Sequence, residues 1–242
     1  MTTGLLPGIR EGDEIGVFLP SSPVREPYLG KGREVLRSQG LRVRLLDGSG
    51  PAESPWYARE AGELKGALEE GIADPDLRML VPGRGGFGAW RLLDWCGWQR
   101  DEVGTHLWQG ASDASLILWA IQAHHPRIAF YGPMPFSTWA EADIEQWWGV
   151  MAAHEVAPFQ GQWGICPGTI SAPLAGGCLS LLSSVVGTPF CPVLRGHIVL
   201  LEDLGERPHR FFRHVWQLKS SGVLREVAGL MLNGFPGTFL NR

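Results

Sequence analysis

Cysteine is scarce in this chain, and the four present, Cys96, Cys166, Cys178 and Cys191, make no CxxC pair and no Cys/His cluster of zinc spacing. A disulfide scaffold is excluded, no metal or other cofactor is called for, and the thiols are expected to be reduced and structural. A basic surplus is also lacking. The 21 Lys+Arg stand against 25 Asp+Glu, a net charge of −4, too little positive charge to neutralise a phosphate backbone, so nucleic acid is not an expected partner. No apolar run approaches the roughly 18 residues of a membrane span, and the opening Met1-Thr-Thr-Gly-Leu-Leu-Pro7 has neither a basic n-region nor an apolar h-region. The expectation is a cytoplasmic protein with no membrane partner.

Glycine, in contrast, is abundant. Thirty-three of 242 residues are Gly, roughly twice average usage, and 18 more are Pro, which points to many tight turns and close backbone approaches. Apolar residues make up 44% of the chain, and the length suits one large domain or two modest ones. Neither an internal repeat nor a low-complexity tract is visible.

Short apolar runs alternate with amphipathic stretches from residue 14 onward. Strands are expected at 14–19, 41–45, 77–81, 105–109 and 128–131, with helices at 27–38, 56–71, 89–94, 115–125 and 141–154 between and after them. Strands separated by helical crossovers favour a parallel α/β sheet, Rossmann-like, whose ligands sit at the carboxyl ends of the strands. The first domain is placed at 1–155, a Gly/Pro-rich connection at 156–170 and a smaller domain at 171–242. That second domain is read with helices at 179–186 and 208–220 and strands at 197–201 and 227–232.

One turn carries the strongest chemical signal. Gly110-Ala111-Ser112-Asp113-Ala114 follows a predicted strand and opens a helix, so Ser112 sits on a strand-to-helix turn. Such a turn exposes the hydroxyl at the sheet edge, and the first helical N–H groups can stabilise a developing oxyanion. The other reading is an N-cap, with Ser112 or Asp113 merely satisfying orphan N–H groups. Pro82-Gly-Arg-Gly-Gly-Phe-Gly88 follows another strand; its glycines could supply a further oxyanion donor, and Arg84 could clamp a carboxylate or brace the turn. Without a Walker Lys-Ser/Thr, or an acidic residue in a matching βαβ unit, phosphate binding is the weaker alternative. Glu202-Asp203 closes the apolar strand Ile198-Val-Leu-Leu201, either as a site acid or as solvated loop carboxylates. The histidines His124, His125, His154, His209 and His214 lie on or beside predicted helices and read as structural. Eleven Trp residues serve core burial or, alternatively, stacking on sugar rings.

Several patterns coincide in order and spacing. They are Gly12-Asp13-x-Ile15 leading into Pro20-Ser21-Ser22-Pro23, Arg84-Gly-Gly-Phe-Gly88 with Arg91-Leu-Leu-Asp94, Gly110-x-Ser112-Asp113, Gly132-Pro133, Gly176-Gly177-x-Leu179, Gly187-Thr188-Pro189, and Leu201-Glu-Asp203 followed by Gln217-Leu218. Together they resemble the LD-carboxypeptidase family of serine peptidases, which includes the microcin C self-immunity peptidases, over nearly the whole chain. The resemblance implies a Rossmann-like N-terminal domain, a smaller β-rich C-terminal domain, a frequent homodimer, no metal, and a Ser-Glu-His mechanism that releases terminal D-alanine from murein tetrapeptide. It implies Ser112 as nucleophile, Glu202 as the acid orienting a histidine, the N–H groups of Asp113 and Gly86 as oxyanion donors, and Arg84 with Gly85 at the substrate. A microcin C-type amidase and a peptide or muropeptide binder without turnover are the alternatives. Three departures stand out. No histidine follows His214 in these 242 residues, where the family places its catalytic histidine in a Gly-His segment near the C-terminus; His209 is the substitute base the sequence offers. Tyr131 stands where the family usually has His before Gly-Pro, and Cys178 where it usually has Asn after Gly-Gly.

Overall fold

A computed structural model describes residues 7–46, 54–125, 128–152, 160–161, 164, 166 and 168–238. His154 and most of the expected 156–170 connection lie outside these residues. The chain divides into two compact units, Met1–Val156 and Ala157–Arg242.

The first unit is built on a five-stranded parallel sheet in the order β2-β1-β3-β4-β5. Its elements run β1 (Glu14–Phe18), α1 (Tyr28–Ser38), β2 (Arg42–Leu45), α2 (Ala61–Ala73), β3 (Leu77–Pro82), β4 (Leu107–Gly110), α3 (Ser115–His124), β5 (Phe130–Tyr131) and α4 (Glu141–Met151). The central strands read as near-continuous apolar runs because both faces are covered: Val17, Phe18, Met79, Leu80 and Leu107 are all buried. Helix α3 is apolar all round, and every residue from Ser115 to Ile121 is buried. Register pairs Val17 with Val81, Leu80 with Trp108, and Gly110 with Tyr131. All strands therefore present their carboxyl ends on one edge. The strand order reverses direction between β1 and β3, and the crevice at such a switch point is where open α/β sheets bind ligands.

Several elements differ from their sequence patterns, among them β5, expected at 128–131 and found only at Phe130–Tyr131. The helix expected from residue 56 begins only at Ala61, because the preceding segment is tied elsewhere: the Ala58 N–H donates to the Ser21 carbonyl at 2.9 Å. The helix expected at 89–94 is a 3-10 turn, Ala89–Leu92, and Thr105 ends another such turn, Asp101–Thr105, so β4 starts two residues later than its pattern suggests.

The second unit holds a three-stranded parallel sheet, β6 (Leu174–Cys178), β7 (Ile198–Glu202) and β8 (Gly229–Leu232), with α5 (Leu179–Val185) and α6 (Pro208–Ser221). Strand β6 has no counterpart among the expected strands, since Leu174-Ala-Gly-Gly-Cys178 has the composition of a loop. Its register against β7 pairs Gly176 with Leu200 and Cys178 with Glu202. Gly176 has φ +106°, and a Cβ there would overlap the Leu200 carbonyl oxygen. No helix among the described residues is long and apolar enough to cross a membrane. Gly176→Ala is expected to destabilise the second unit by about 1–3 kcal/mol through strain and overlap, read as a lowered urea midpoint; an unchanged midpoint would show that β6 does not pack as described.

Candidate active site

The end of β4 is where the backbone is forced out of its ordinary conformations. Ala111 is extended, and Ser112 then takes φ +53°, the one positive φ at a non-glycine residue among the described residues. A left-handed conformation costs a residue with a Cβ roughly 1–2 kcal/mol, and it persists only where the surroundings over-determine it. Here they do. The Ser112 N–H donates to the Tyr131 hydroxyl at 3.1 Å, the Ala114 N–H donates to the Ala111 carbonyl at 3.1 Å, and the Ser115 hydroxyl donates to the Ser112 carbonyl at 2.6 Å. A Cβ on Gly110 would lie 2.9 Å from that of Ala114, so the small residue two before the serine makes room for the one two after it. The result is a sharp strand-turn-helix elbow that leaves the Ser112 side chain exposed.

The glycine turn after β3 lies against this elbow. A Cβ on Gly85 would sit 3.2 Å from the Ser112 Oγ, so any side chain there would crowd the hydroxyl. Gly86 has φ +129°, and a Cβ on it would overlap the Ser22 hydroxyl. That hydroxyl accepts the Phe87 N–H at 3.1 Å, joining the turn to the loop after β1. Neither the Gly86 nor the Asp113 N–H has an acceptor among the described residues. Arg84 braces the turn: its Nη1 donates to the Pro23 carbonyl at 3.0 Å and its Nε to the Gly85 carbonyl at 3.2 Å, leaving Nη2 unpartnered among the described residues.

Two residues whose roles the sequence does not disclose hold these loops together. Arg91 spreads its fork over the carbonyls of Gly88, Arg59 and Pro20, at 3.1, 3.0 and 3.3 Å, while its guanidinium sits 4.0 Å from the centroid of the Tyr57 ring. Ser21, wholly buried, donates its hydroxyl to the Asp113 Oδ2 at 2.7 Å, and the same oxygen accepts the Ala89 N–H at 2.9 Å. Burial pushes the Asp113 carboxyl above its usual 3.8, and those hydrogen bonds, with the nearby Arg91 charge, offset only part of that. The signal available in the sequence is the Pro20-Ser-Ser-Pro23 loop, a pair of hydroxyls beside the switch point.

In the second unit Glu202 stands half-buried at the end of β7, in register with Cys178. Its neighbour Asp203 serves the local structure, since its Oδ2 accepts the Ser180 N–H at the start of α5 and its Oδ1 accepts the Leu204 N–H, both at 2.9 Å. Cys178 is buried, and burial, reinforced by the Asp203 and Glu202 carboxylates, pushes its thiol up to about 11. His209 is exposed on the first turn of α6. His214 meets the Ser183 hydroxyl at 2.6 Å through Nδ1, and its Nε2 is buried with no partner among the described residues.

No described histidine of the first unit is placed at the elbow. His106 lies at the opposite end of β4, with its two ring nitrogens 2.8 and 2.9 Å from the Leu77 and Ile72 carbonyls. His124 and His125 close the far end of α3, where the His125 Nε2 meets the Trp98 carbonyl at 2.8 Å. Among the described residues no group of three or more His, Cys, Asp or Glu could hold a metal ion.

A parallel α/β sheet with a strained serine elbow at its carboxyl edge, flanked by a glycine turn, defines the serine-hydrolase class of site. Residues 15–132 match the LD-carboxypeptidase N-terminal domain and residues 171–241 the LD-carboxypeptidase C-terminal domain. A putative carboxypeptidase of Synechocystis sp. is 31% identical over 94% of this chain and 75% of its own length. A probable murein peptide carboxypeptidase of Bacillus subtilis is 28% identical over 94% of this chain and 73% of its own. The crystal structure of muramoyltetrapeptide carboxypeptidase from Oxalobacter formigenes superposes with a TM-score of 0.82 at 25% identity, over 94% of this chain and 78% of that one. The chain belongs to the LD-carboxypeptidase family.

Two measurements check this geometry. Because the folded-state pKa of Asp113 is raised, the folded protein holds that proton more tightly than the unfolded chain. The contribution is therefore fully present below about pH 3.8 and is lost as pH rises through the folded-state value. In urea titrations the stability advantage of the wild type over Asp113→Asn is expected to shrink across that acid window; an advantage that grows with pH would contradict the burial. With iodoacetamide near pH 8, the exposed Cys96 and Cys166 are expected to be alkylated and Cys178 to stay unmodified in the folded protein.

Proposed function

We propose that this chain is a serine carboxypeptidase that cleaves the L,D-peptide bond releasing terminal D-alanine from murein tetrapeptide. The observation that carries the reading is the elbow: alone among the described non-glycine residues, Ser112 is held at positive φ, with its side chain exposed and the unspent Asp113 N–H beside it. The substrate class follows the names of the Bacillus and Oxalobacter relatives.

In this mechanism the Ser112 Oγ attacks the carbonyl carbon of the residue before D-alanine, its proton passes to a base, and the tetrahedral oxyanion takes the N–H groups of Asp113 and Gly86. The base then returns the proton to the departing D-alanine amine, and water hydrolyses the acyl-enzyme. Gly85 keeps the approach to the hydroxyl clear. The unpartnered Nη2 of Arg84 is assigned to the terminal carboxylate of the substrate, on an arm already fixed by two carbonyls. Glu202 is assigned the acid that orients the imidazole, and His209 is the substitute base among the described residues.

A second reading, peptide binding without turnover, is favoured by one specific observation. The described histidines of the first unit lie away from the elbow, and a serine without a base loses most of its nucleophilicity. One experiment decides between the two. The purified chain is incubated with murein tetrapeptide, and D-alanine is followed by mass spectrometry beside Ser112→Ala, Glu202→Gln and His209→Ala. Release is expected to fall at least about 10³-fold in Ser112→Ala and about 10²-fold or more in Glu202→Gln. Undiminished release from Ser112→Ala would remove Ser112 as nucleophile. Unchanged release from His209→Ala would remove His209 as base, and saturable binding with no release would establish the binder.

A further inference from the structure

From the contact between the elbow and β5 we infer that Tyr131 is a positioning residue for the Ser112 nucleophile, acting through the hydrogen bond that its hydroxyl accepts from the Ser112 N–H. The inference rests on the proposed role of Ser112 and adds a residue to that site.

Two observations carry it. First, Ser112 is the residue in the strained conformation, and its N–H is anchored at 3.1 Å by a side chain from the neighbouring strand rather than by the turn itself. The other local bonds, from Ala114 to Ala111 and from Ser115 to Ser112, close the turn around Ser112 and hold its carbonyl, and neither engages its N–H. A rotation that brought φ back to negative values would turn the side chain relative to the N–H, so an N–H held in place by Tyr131 also holds the direction of the Oγ. Second, the Tyr131 backbone cannot drift: Tyr131 is in register with Gly110 on β4, and the Gly132 N–H donates to the Gly110 carbonyl at 3.2 Å. The phenol is thus mounted on the sheet that carries the elbow, beside the residue two before the serine it holds. Tyr131 contributes no proton to the reaction in this assignment; it fixes where the Oγ stands.

The test compares wild type with Tyr131→Phe, which keeps the ring and loses the hydroxyl. The substitution is expected to lower kcat for D-alanine release about tenfold, with KM within about twofold, since misplacing a reacting atom acts on the chemical step. Unchanged kcat in Tyr131→Phe overturns the inference. Amide hydrogen exchange at Ser112, measured in the same two proteins, decides it independently of turnover. Exchange at Ser112 is expected to rise about tenfold in Tyr131→Phe relative to Ala114; equal exchange in the two proteins overturns the inference. A wild type that releases no D-alanine would sink the proposed reaction, while the exchange data would still decide the role of Tyr131.

Discussion

The carboxylate of Asp113 is the point at which the three loops of the first unit's carboxyl edge are joined. It is buried, it accepts the Ser21 hydroxyl from the loop after β1 and the Ala89 N–H from the turn after β3, and it belongs to the residue that follows the serine. Taking a carboxylate out of water costs several kcal/mol. Hydrogen bonds to a charged group return about 1.5–3 kcal/mol each. The balance falls short of full compensation, because the carboxyl still ends above its ordinary value. Removing either donor would therefore leave a buried charge even worse satisfied, and no small movement of one loop is possible without the other two.

This coupling explains how an exposed hydroxyl can be held in one place. Ser112 itself offers little to pack, and its backbone strain favours escape. What opposes the escape is the Tyr131 hydroxyl on the Ser112 N–H, the Asp113 side chain, the Arg91 fork across three carbonyls and the tight fit of Gly110 on Ala114. Arg91 gives up little rotamer freedom per bond, since a planar guanidinium satisfies several acceptors in one placement. The loops are tied together for reasons unrelated to substrate, and in the proposed reaction the N–H groups of Gly86 and Asp113 would keep their directions without reorganising.

How far the fold can be read from residues alone follows from which force sets each element. Strands buried on both faces announce themselves as apolar runs, and β1, β3 and β7 are legible for that reason. Strand β6 is not, because it pairs through backbone that Gly176 allows to approach Leu200, and glycine carries no apolar signal. The segment before α2 has a helical pattern, yet its hydrogen bond runs to the Ser21 carbonyl, a long-range partner no local pattern contains. At the site, Ser112 and the glycine turn are legible from strand-turn-helix order. The roles of Ser21, Arg91 and Tyr131 are not, since each acts through a contact between segments distant in sequence.

The elbow and the base are separable parts of such a site, and the first unit furnishes only the former among its described residues. A serine hydrolase stripped of a catalytic-triad member still retains roughly 10³–10⁴ of acceleration over water from its oxyanion hole and substrate binding. The strain at Ser112 and the burial of Asp113 would be maintained in a molecule that keeps that residual acceleration, whether or not an imidazole stands behind the hydroxyl. The energetic cost carried by the elbow is thus an argument for recognition of a carbonyl at Ser112. The rate at which that carbonyl is attacked depends on a proton acceptor that the elbow itself does not supply. In the proposed reaction, recognition and turnover at this edge would be set by different residues, and they could be lost one at a time.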